Sequence, residues 1–243
     1  MRCITLPSLF TAMCLALPAQ AEQRLAYSTA SPAWLQAVGK LEVPGSRVEN
    51  GYRRHKREDC SGTLVASAPD SRRADIVVTA WHCLEYYQDL SRPILFTLLP
   101  NSHQPITLEA RRLDTGGDMH ADWAVLQLAR PVDATTVRGL TIDPVRADAT
   151  RAVVMAGYSG DEGLGQDGQV MTYHVDCRIT AQQPGASTSN CQAYKGASGG
   201  AVIQLDDQGQ ARLTGVISRG DSAGVSIFVP VEGFRSPLNL ALR

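Results

Sequence analysis

Short β-rich runs recur along most of this 243-residue chain, and they constrain its fold more than any other feature. They lie at residues 75–79, 94–98, 105–108, 123–128, 151–156, 169–175, 201–205, 213–218 and 225–229. Turn-forming residues bound them, as in Asp206-Asp207-Gln208-Gly209, which predicts a hairpin turn. No amphipathic helix longer than about three turns is indicated. Many short strands at this spacing predict an all-β barrel or sandwich.

The charge and the composition exclude two broad classes of protein. Lys and Arg number 23 against 24 Asp and Glu, which gives a net charge of −1. A nucleic-acid binder that works by bulk electrostatics needs a basic surface, so this balance argues against a nucleic-acid partner. The apolar fraction of 44% and the charged fraction of 19% exclude wholesale disorder.

The first 21 residues predict a cleaved export signal. A mostly apolar stretch follows the basic start Met1-Arg2, and Ala19 and Ala21 give the small-residue pattern that signal peptidase needs. The alternatives are a membrane anchor and lipidation at Cys14, but the stretch is short for a bilayer span and Met13 is large for a lipoprotein signal. We therefore expect a secreted or periplasmic protein with no stable membrane insertion after signal removal.

Four cysteines remain once the signal is removed, two in each half of the chain: Cys60, Cys83, Cys177 and Cys191. An even number in an oxidising compartment favours two disulfides, for which three pairings exist. The local pairs Cys60–Cys83 and Cys177–Cys191 are the simplest, and each would stabilise the fold by ~3 kcal/mol in the chain-entropy description. The alternative, a metal site that includes His82 and His174, lacks the tight paired spacing of structural zinc sites.

Three short segments offer the groups of an activated nucleophile. They are Thr79-Ala80-Trp81-His82-Cys83, then Asp122-Trp123-Ala124-Val125-Leu126, then Gly196-Ala197-Ser198-Gly199-Gly200-Ala201. A serine hydroxyl is a poor nucleophile until an imidazole takes its proton, and a buried carboxylate must fix the tautomer of that imidazole. The interpretation is a triad of His82 as base, Asp122 as orienting carboxylate and Ser198 as nucleophile.

These segments resemble the hallmarks of the chymotrypsin-like (trypsin-like) serine peptidase family, T-A-A-H-C, D-[IW]-A-L and G-[DN]-S-G-G-P. The likeness is closer to the bacterial branch that includes the glutamyl endopeptidases, where C-x-x-x-x-G-x-S-G matches the run from Cys191 to Gly199. A fourth match, from Gly215 to Gly220, is similar to the family's G-[IV]-V-S-W-G strand. The resemblance covers roughly residues 45–235.

The resemblance implies two six-stranded antiparallel β-barrels with the triad in the cleft between them. After the predicted signal peptide at 1–21, it divides the chain into an N-terminal extension or possible pro-segment at 22–45 and two barrels at 46–135 and 136–243, which together form one peptidase domain. It also implies a serine endopeptidase with oxyanion donors on the backbone of Gly196 and Ser198, no metal and no cofactor. Peptide or protein substrates would pair with the edge strand Ser218-Arg219-Gly220, and the expected state is a monomer.

The resemblance also predicts the side-chain specificity. By counting back from the serine, Gln192 falls where tryptic enzymes place an aspartate, although Asp221 on the facing segment is an alternative. Ala193 and Ile217 stand where glutamyl endopeptidases tend to place a hydroxyl and a His. The substrate-binding prediction therefore comprises Gln192, Ala193, Ile217, Ser218, Arg219, Gly220 and Gly224, around a neutral pocket for apolar or uncharged side chains.

Activation is expected to differ from that of trypsin-like zymogens. In those proteins a newly cut N-terminal ammonium pairs with the aspartate before the catalytic serine, and here that position is Ala197. A buried ammonium beside Ala197 would have no partner, so the oxyanion loop must be held by other means.

The sequence also bears on two other functional classes. The first is a non-catalytic binding module that keeps the fold, but all three triad positions are present. The second is an α/β-hydrolase, which needs its G-x-S-x-G serine between a strand and a helix and its His last in the chain. Here His82 comes first and Ala201-Val202-Ile203 is strand-like, so the order rejects that class.

Overall fold

The computed structural model describes residues 24–88, 91–222 and 224–243, so the predicted signal peptide lies outside it. The described residues form fifteen strands: β1 (Arg24–Ala26), β2 (Val38–Glu49), β3 (Tyr52–Val65), β4 (Arg73–Thr79), β5 (Ile94–Leu98), β6 (Ile106–Thr115), β7 (Ala124–Asp133), β8 (Thr141–Ile142), β9 (Val153–Gly157), β10 (Thr172–Cys177), β11 (Ile179–Gln183), β12 (Ala186–Ser189), β13 (Ala201–Leu205), β14 (Ala211–Gly220) and β15 (Ser226–Pro230). One α-helix, α1 (Arg235–Ala241), and short 3₁₀ helices at Ala33–Ala37, Trp81–Leu84, Met119–Ala121 and Val231–Gly233 complete the chain. No helix in these ranges is long and apolar enough to cross a bilayer.

Strands β2 to β7 close into a six-stranded barrel in the order β2-β3-β4-β7-β6-β5. In β5 every second side chain is buried, which places Ile94, Phe96 and Leu98 in the barrel interior. Residues 124–126 of β7 are all buried, because the outer face of that strand is covered by the rest of the molecule. The prediction of a closed N-terminal barrel is confirmed.

The second half of the chain forms a curled sheet of nine strands, with the path β1-β10-β9-β13-β14-β15-β12-β11 and with β8 paired to β14. The all-β prediction of a chymotrypsin-like fold is confirmed. The sheet of this half curls back on itself, because β11 at one end of the path follows β10 near the other end after the single residue Arg178. Strand β1 adds to the edge of β10, with Arg24 opposite His174 and Ala26 opposite Thr172.

The N- and C-terminal segments both cross between the halves. Residues 24–45, which the sequence assigns to an extension, contain β1 of the second sheet and the first part of β2 of the barrel. At the other end α1 packs against β7, and the ring of Phe234 stacks on Trp123 with centroids 5.9 Å apart. These crossings join the two halves of the molecule.

Candidate active site

His82 lies on the first half of the molecule, directly after a buried strand. Strand β4 ends at Thr79, and His82 is the second residue of the 3₁₀ helix Trp81–Leu84. The disulfide between Cys83 and Cys60 ties that helix to β3, with the two Cα atoms 6.3 Å apart. The side chain of His82 keeps 26% of its surface exposed, so the ring is fixed at its base and open to the cleft.

Asp122 lies between a short helix and a barrel strand. The carboxylate of Asp118 caps the 3₁₀ helix Met119–Ala121 by accepting from the N–H groups of His120 and Ala121 at 2.7 and 3.1 Å. The chain then enters β7 through Trp123, whose ring stacks on Phe234. Asp122 is fully buried, with 0% of its surface exposed.

Three hydrogen bonds compensate the burial of the Asp122 carboxylate. The backbone N–H of His82 donates to Oδ1 at 2.9 Å, Nδ1 of the same ring lies 2.9 Å from Oδ2, and the Ser218 hydroxyl donates to Oδ2 at 2.5 Å. Burial would raise the pKa of Asp122, but the hydrogen bonds and the charge of His82 outweigh it and hold the pKa below its ordinary value of 3.8. Because an ionised carboxylate only accepts, Nδ1 of His82 carries a proton and neutral His82 keeps Nε2 free as an acceptor.

Ser198 lies on the loop between β12 and β13, facing the same cleft as His82. Its hydroxyl donates to the carbonyl of Ser218 at 3.2 Å, and its own carbonyl accepts from the Ser61 N–H at 2.8 Å. The next residue, Gly199, has φ +80°, and a Cβ there would lie 2.2 Å from the Ser61 carbonyl. Only glycine lets the nucleophile loop approach the first half of the molecule this closely.

The loop that carries Ser198 contains two backbone N–H groups that can bind a ligand. In the described parts of the chain, neither the N–H of Gly196 nor that of Ser198 donates a hydrogen bond. The Gly196 carbonyl accepts from the Ser61 hydroxyl at 2.8 Å, and the Lys195 carbonyl accepts from the Gly160 N–H at 2.6 Å. Gly196 has φ +94°, and a Cβ there would lie 2.5 Å from the Tyr158 carbonyl. This arrangement can bind an oxyanion between two backbone donors.

The cleft that joins these groups has a volume of about 420 Å³. Its lining residues are His82, Met119, Ala193, Tyr194, Lys195, Ser198, Ile217, Ser218, Arg219, Gly220 and Ser222. Five of the seven sequence-predicted substrate-binding residues line it. The backbone of Gln192 instead donates to Nδ1 of His174 at 3.0 Å, and a Cβ at Gly224 would meet no described atom within 4 Å.

Four cleft residues were missed by sequence reasoning: Met119, Tyr194, Lys195 and Ser222. Tyr194 and Lys195 lie inside the motif that runs from Cys191 to Gly199, so their place in that motif could have identified them as cleft residues. Met119 lies in the loop before Asp122 and Ser222 lies beyond the edge strand, so neither carries a local signal of its own.

The cysteines of the two possible metal groups are bonded to each other. Cys60 and Cys83 lie near His82, and Cys177 and Cys191 lie near His174, with potential ligand atoms within 4.8 Å in each group. Metal-binding cysteine is a thiolate, whereas here both pairs form disulfides, with S–S distances of 2.07 and 2.06 Å. The predicted local pairing is thus the pairing in the structure.

A closed β-barrel and a curled β-sheet, with His82 and Ser198 lining one cleft and Asp122 hydrogen-bonded to His82, are the arrangement of the chymotrypsin-like serine proteases. The chain belongs to the trypsin-like peptidase family. The family model, described as a trypsin-like peptidase domain, matches residues 60–216, which is more than half of the chain. The protein is therefore a serine-type endopeptidase.

Known relatives agree with this assignment. A trypsin-like protease from Streptomyces glaucescens is 25% identical over 246 residues, covering 88% of this chain and 87% of that protein. Among solved structures, the thermostable serine protease AL20 from an extremophilic microorganism matches with a TM-score of 0.61 and 19% identity, over 86% of this chain and 98% of that one. Protease Anisep from Arthrobacter nicotinovorans matches with a TM-score of 0.63 and 18% identity, over 87% and 98%. At these identities the two structures bear on the fold alone.

Proposed function

We propose that this protein is an exported endopeptidase that cleaves peptide bonds through an acyl-enzyme on Ser198. His82 carries the protons and Asp122 orients His82. The observation that carries the proposal is the fully buried Asp122 carboxylate, which accepts from both the backbone and the ring of His82. A buried carboxylate with these partners fixes the tautomer in which the second ring nitrogen accepts a proton.

The chemistry begins when the Ser198 hydroxyl turns from the Ser218 carbonyl toward Nε2 of His82. Ser198 Oγ attacks the substrate carbonyl carbon while His82 takes its proton, and the oxyanion that forms lies between the N–H groups of Gly196 and Ser198. His82 then gives the proton to the leaving amine, which departs and leaves the ester. Water attacks that ester in the same way, so His82 returns the proton to Ser198 and the carboxylic acid is released.

The edge of β14 supports binding of an extended peptide. Arg219 and Gly220 pair with β15 on one side, while the ladder with β13 ends at Val216. The other backbone edge of residues 218–220 therefore faces the cleft, where a substrate strand can add to it. This edge favours polypeptides over small esters.

The cleft supports a preference for small apolar or uncharged side chains. Gly220 is so close to Ala193 that a Cβ on it would lie 2.5 Å from the Ala193 carbonyl, which narrows the pocket. Among the described residues that line the cleft, none is Asp or Glu, so a bound Lys or Arg side chain would be desolvated without a partner. The cations Lys195 and Arg219 are exposed at the rim.

Export is supported by the two disulfides, which persist in oxidising compartments, together with the predicted signal at residues 1–21. We propose a secreted or periplasmic protein that acts as a monomer on peptide or protein substrates.

Digestion of a peptide library by the chain that starts at Glu22 tests this function and its specificity together. Mass spectrometry of the products is expected to show cleavage after small apolar or uncharged residues. Ser198→Ala should abolish cleavage, whereas Ser222→Ala, which removes another serine hydroxyl of the same cleft, should retain it. Cleavage mainly after Lys and Arg, or mainly after Glu, contradicts the proposal that the pocket prefers small apolar or uncharged side chains. An intact library after incubation with the unchanged protein contradicts catalysis and favours a binding module.

A further inference from the structure

The first described residue, Arg24, is buried although it lies at the start of an edge strand. Only 5% of its surface is exposed. In β1 it lies opposite His174 of β10, at the edge of the second sheet. Burial of an arginine is costly unless its charge is paired and its donors are used, so its partners show what it holds in place.

The guanidinium of Arg24 contacts three different segments. Both terminal nitrogens of Arg24 donate to the Asp161 carboxylate in an ion pair, with Nη1 lying 3.3 Å from Oδ2. Nη2 also donates to the Thr172 hydroxyl at 3.2 Å. Its Cζ atom lies 4.2 Å from the centroid of the Tyr194 ring, within cation–π distance. Burial would raise the pKa of Asp161, but the hydrogen bond from Arg24 and others outweigh it, so the pKa lies below its ordinary value.

Asp161 and Tyr194 lie on the two segments that together fix the orientation of the peptide group between Lys195 and Gly196. Asp161 also accepts from the Gly165 N–H at 3.2 Å, which organises the loop after β9. The preceding residue of that loop, Gly160, donates its N–H to the Lys195 carbonyl at 2.6 Å. In a trans peptide the C=O and the N–H point in opposite directions. Holding the Lys195 carbonyl against Gly160 therefore aims the Gly196 N–H away from that loop, as an oxyanion donor requires.

We infer that Arg24 is a positioning residue for the oxyanion hole, because its guanidinium clamps Asp161 and Tyr194 on either side of the Lys195–Gly196 peptide. The clamping cation is a side chain within the polypeptide. A free N-terminal ammonium is therefore not required, and the neutral Ala197 before Ser198 is consistent with this. The inference rests on the proposed role of the Gly196 N–H in catalysis.

Arg24→Gln tests the clamp, with Arg151→Gln as the matched control. Arg151 pairs with Asp207 at 2.9 Å on the surface of the second half, so its replacement removes an Arg–Asp pair that does not touch the oxyanion loop. Peptide hydrolysis by Arg24→Gln is expected to show kcat reduced about 10²-fold, as for the loss of one oxyanion donor, with KM changed by less than about threefold. Arg24→Lys keeps the positive charge but loses the two-nitrogen contact with Asp161 and the stacking on Tyr194. We therefore expect its kcat to be reduced about tenfold.

A purely structural role of Arg24 would lower the melting temperature without this kcat-specific effect, so both variants are assayed well below their unfolding transitions. If Arg24→Gln does not fold, Arg24→Lys decides by the same measurement. A kcat within about threefold of the unchanged protein in the deciding variant, or an equal loss in Arg151→Gln, overturns the inference. An unchanged protein with no hydrolysis at all contradicts the proposed function instead, so the two failures are distinguishable. Acetylation of the α-amine of Glu22 is expected to leave kcat unchanged, and its loss on acetylation also overturns the inference.

Discussion

The carboxylate of Asp122 accepts hydrogen bonds from residues that come from both halves of the chain. His82 follows β4 of the barrel, and Ser218 belongs to β14 of the curled sheet. Each bond favours the charged form of Asp122 over the neutral form, so the site stabilises the anion that it needs. The orientation of the His82 ring and part of the contact between the halves thus depend on one charge.

Replacing Ser218 with alanine is expected to destabilise the protein in a pH-dependent way. The lost hydrogen bond to a charged group contributes about 1.5–3 kcal/mol at pH 7. Because the folded-state pKa of Asp122 is lowered, this contribution is complete above the ordinary value of 3.8 and is lost as the pH falls through the folded-state pKa. Urea unfolding at neutral pH and at a series of pH values below 3.8 should show that the difference in the free energy of unfolding between the variant and the unchanged protein shrinks as the pH falls.

Ser187→Ala is the control for this experiment. The Ser187 hydroxyl is also buried, but it has no hydrogen-bond partner among the described residues. Its removal should produce no pH-dependent change in the free energy of unfolding. A Ser218→Ala loss that is equal at both pH values would contradict the account of Asp122.

The three catalytic candidates were predictable from sequence because each lies in a short motif that carries its own signal. Residues 114–122 contain two other aspartates, Asp114 and Asp118, but Asp122 alone leads directly into a buried strand. Arg24 was not predictable, since its partner Asp161 is 137 residues away and neither residue stands in a motif. Long-range partners of this kind become visible only when the fold brings them together.

At the scale of secondary structure elements, apolar content decided which strands were predictable. The buried runs at 94–98 and 201–205 coincide with β5 and β13. The hairpin of β2 and β3 was missed, because residues 52–57 of β3 are mostly exposed and basic and show no apolar alternation. That segment is held by its antiparallel pairing with β2, in which Glu49 lies opposite Tyr52 at one end and Val38 lies opposite Thr63 at the other.

The two disulfides each fasten an element that carries part of the site. Cys60–Cys83 holds the helix with His82 to β3, and Cys177–Cys191 joins the end of β10 to the segment before the oxyanion loop. Their sequence separations are 23 and 14 residues. Since loop-closure entropy grows only with the logarithm of loop length, the two bonds should stabilise the fold to a similar extent.

Removing either bond by a pair of Cys→Ala substitutions is expected to lower the free energy of unfolding by about 3 kcal/mol, with the two pairs within about 0.5 kcal/mol of each other. Urea unfolding under non-reducing conditions measures both values. Full stability in either double variant would show that the bond does not constrain the unfolded chain as described.

At the scale of the whole molecule, the cleft depends on contact between the halves at Ser61. This barrel residue donates its N–H to the Ser198 carbonyl and its hydroxyl to the Gly196 carbonyl, and its Oγ accepts from the Tyr158 N–H at 2.8 Å. The order of the motifs predicted a chymotrypsin-like fold, which the structure confirms. The edge strand β1 was not predictable, because it has only three residues and its pairing with β10 leaves no local pattern in the sequence.

His82 and Asp122 are expected to activate Ser198, and the rate at which a fluorophosphonate labels the protein measures that activation. We expect a single adduct on Ser198, identified by mass spectrometry. In Asp122→Asn the labelling rate should fall by roughly 10⁴-fold, because the ring of His82 is then held in the wrong tautomer. In Asp118→Asn, which changes only the carboxylate that caps the preceding helix, the rate should stay within about tenfold. An adduct on another residue, or equal labelling rates in Asp122→Asn and the unchanged protein, would contradict the account.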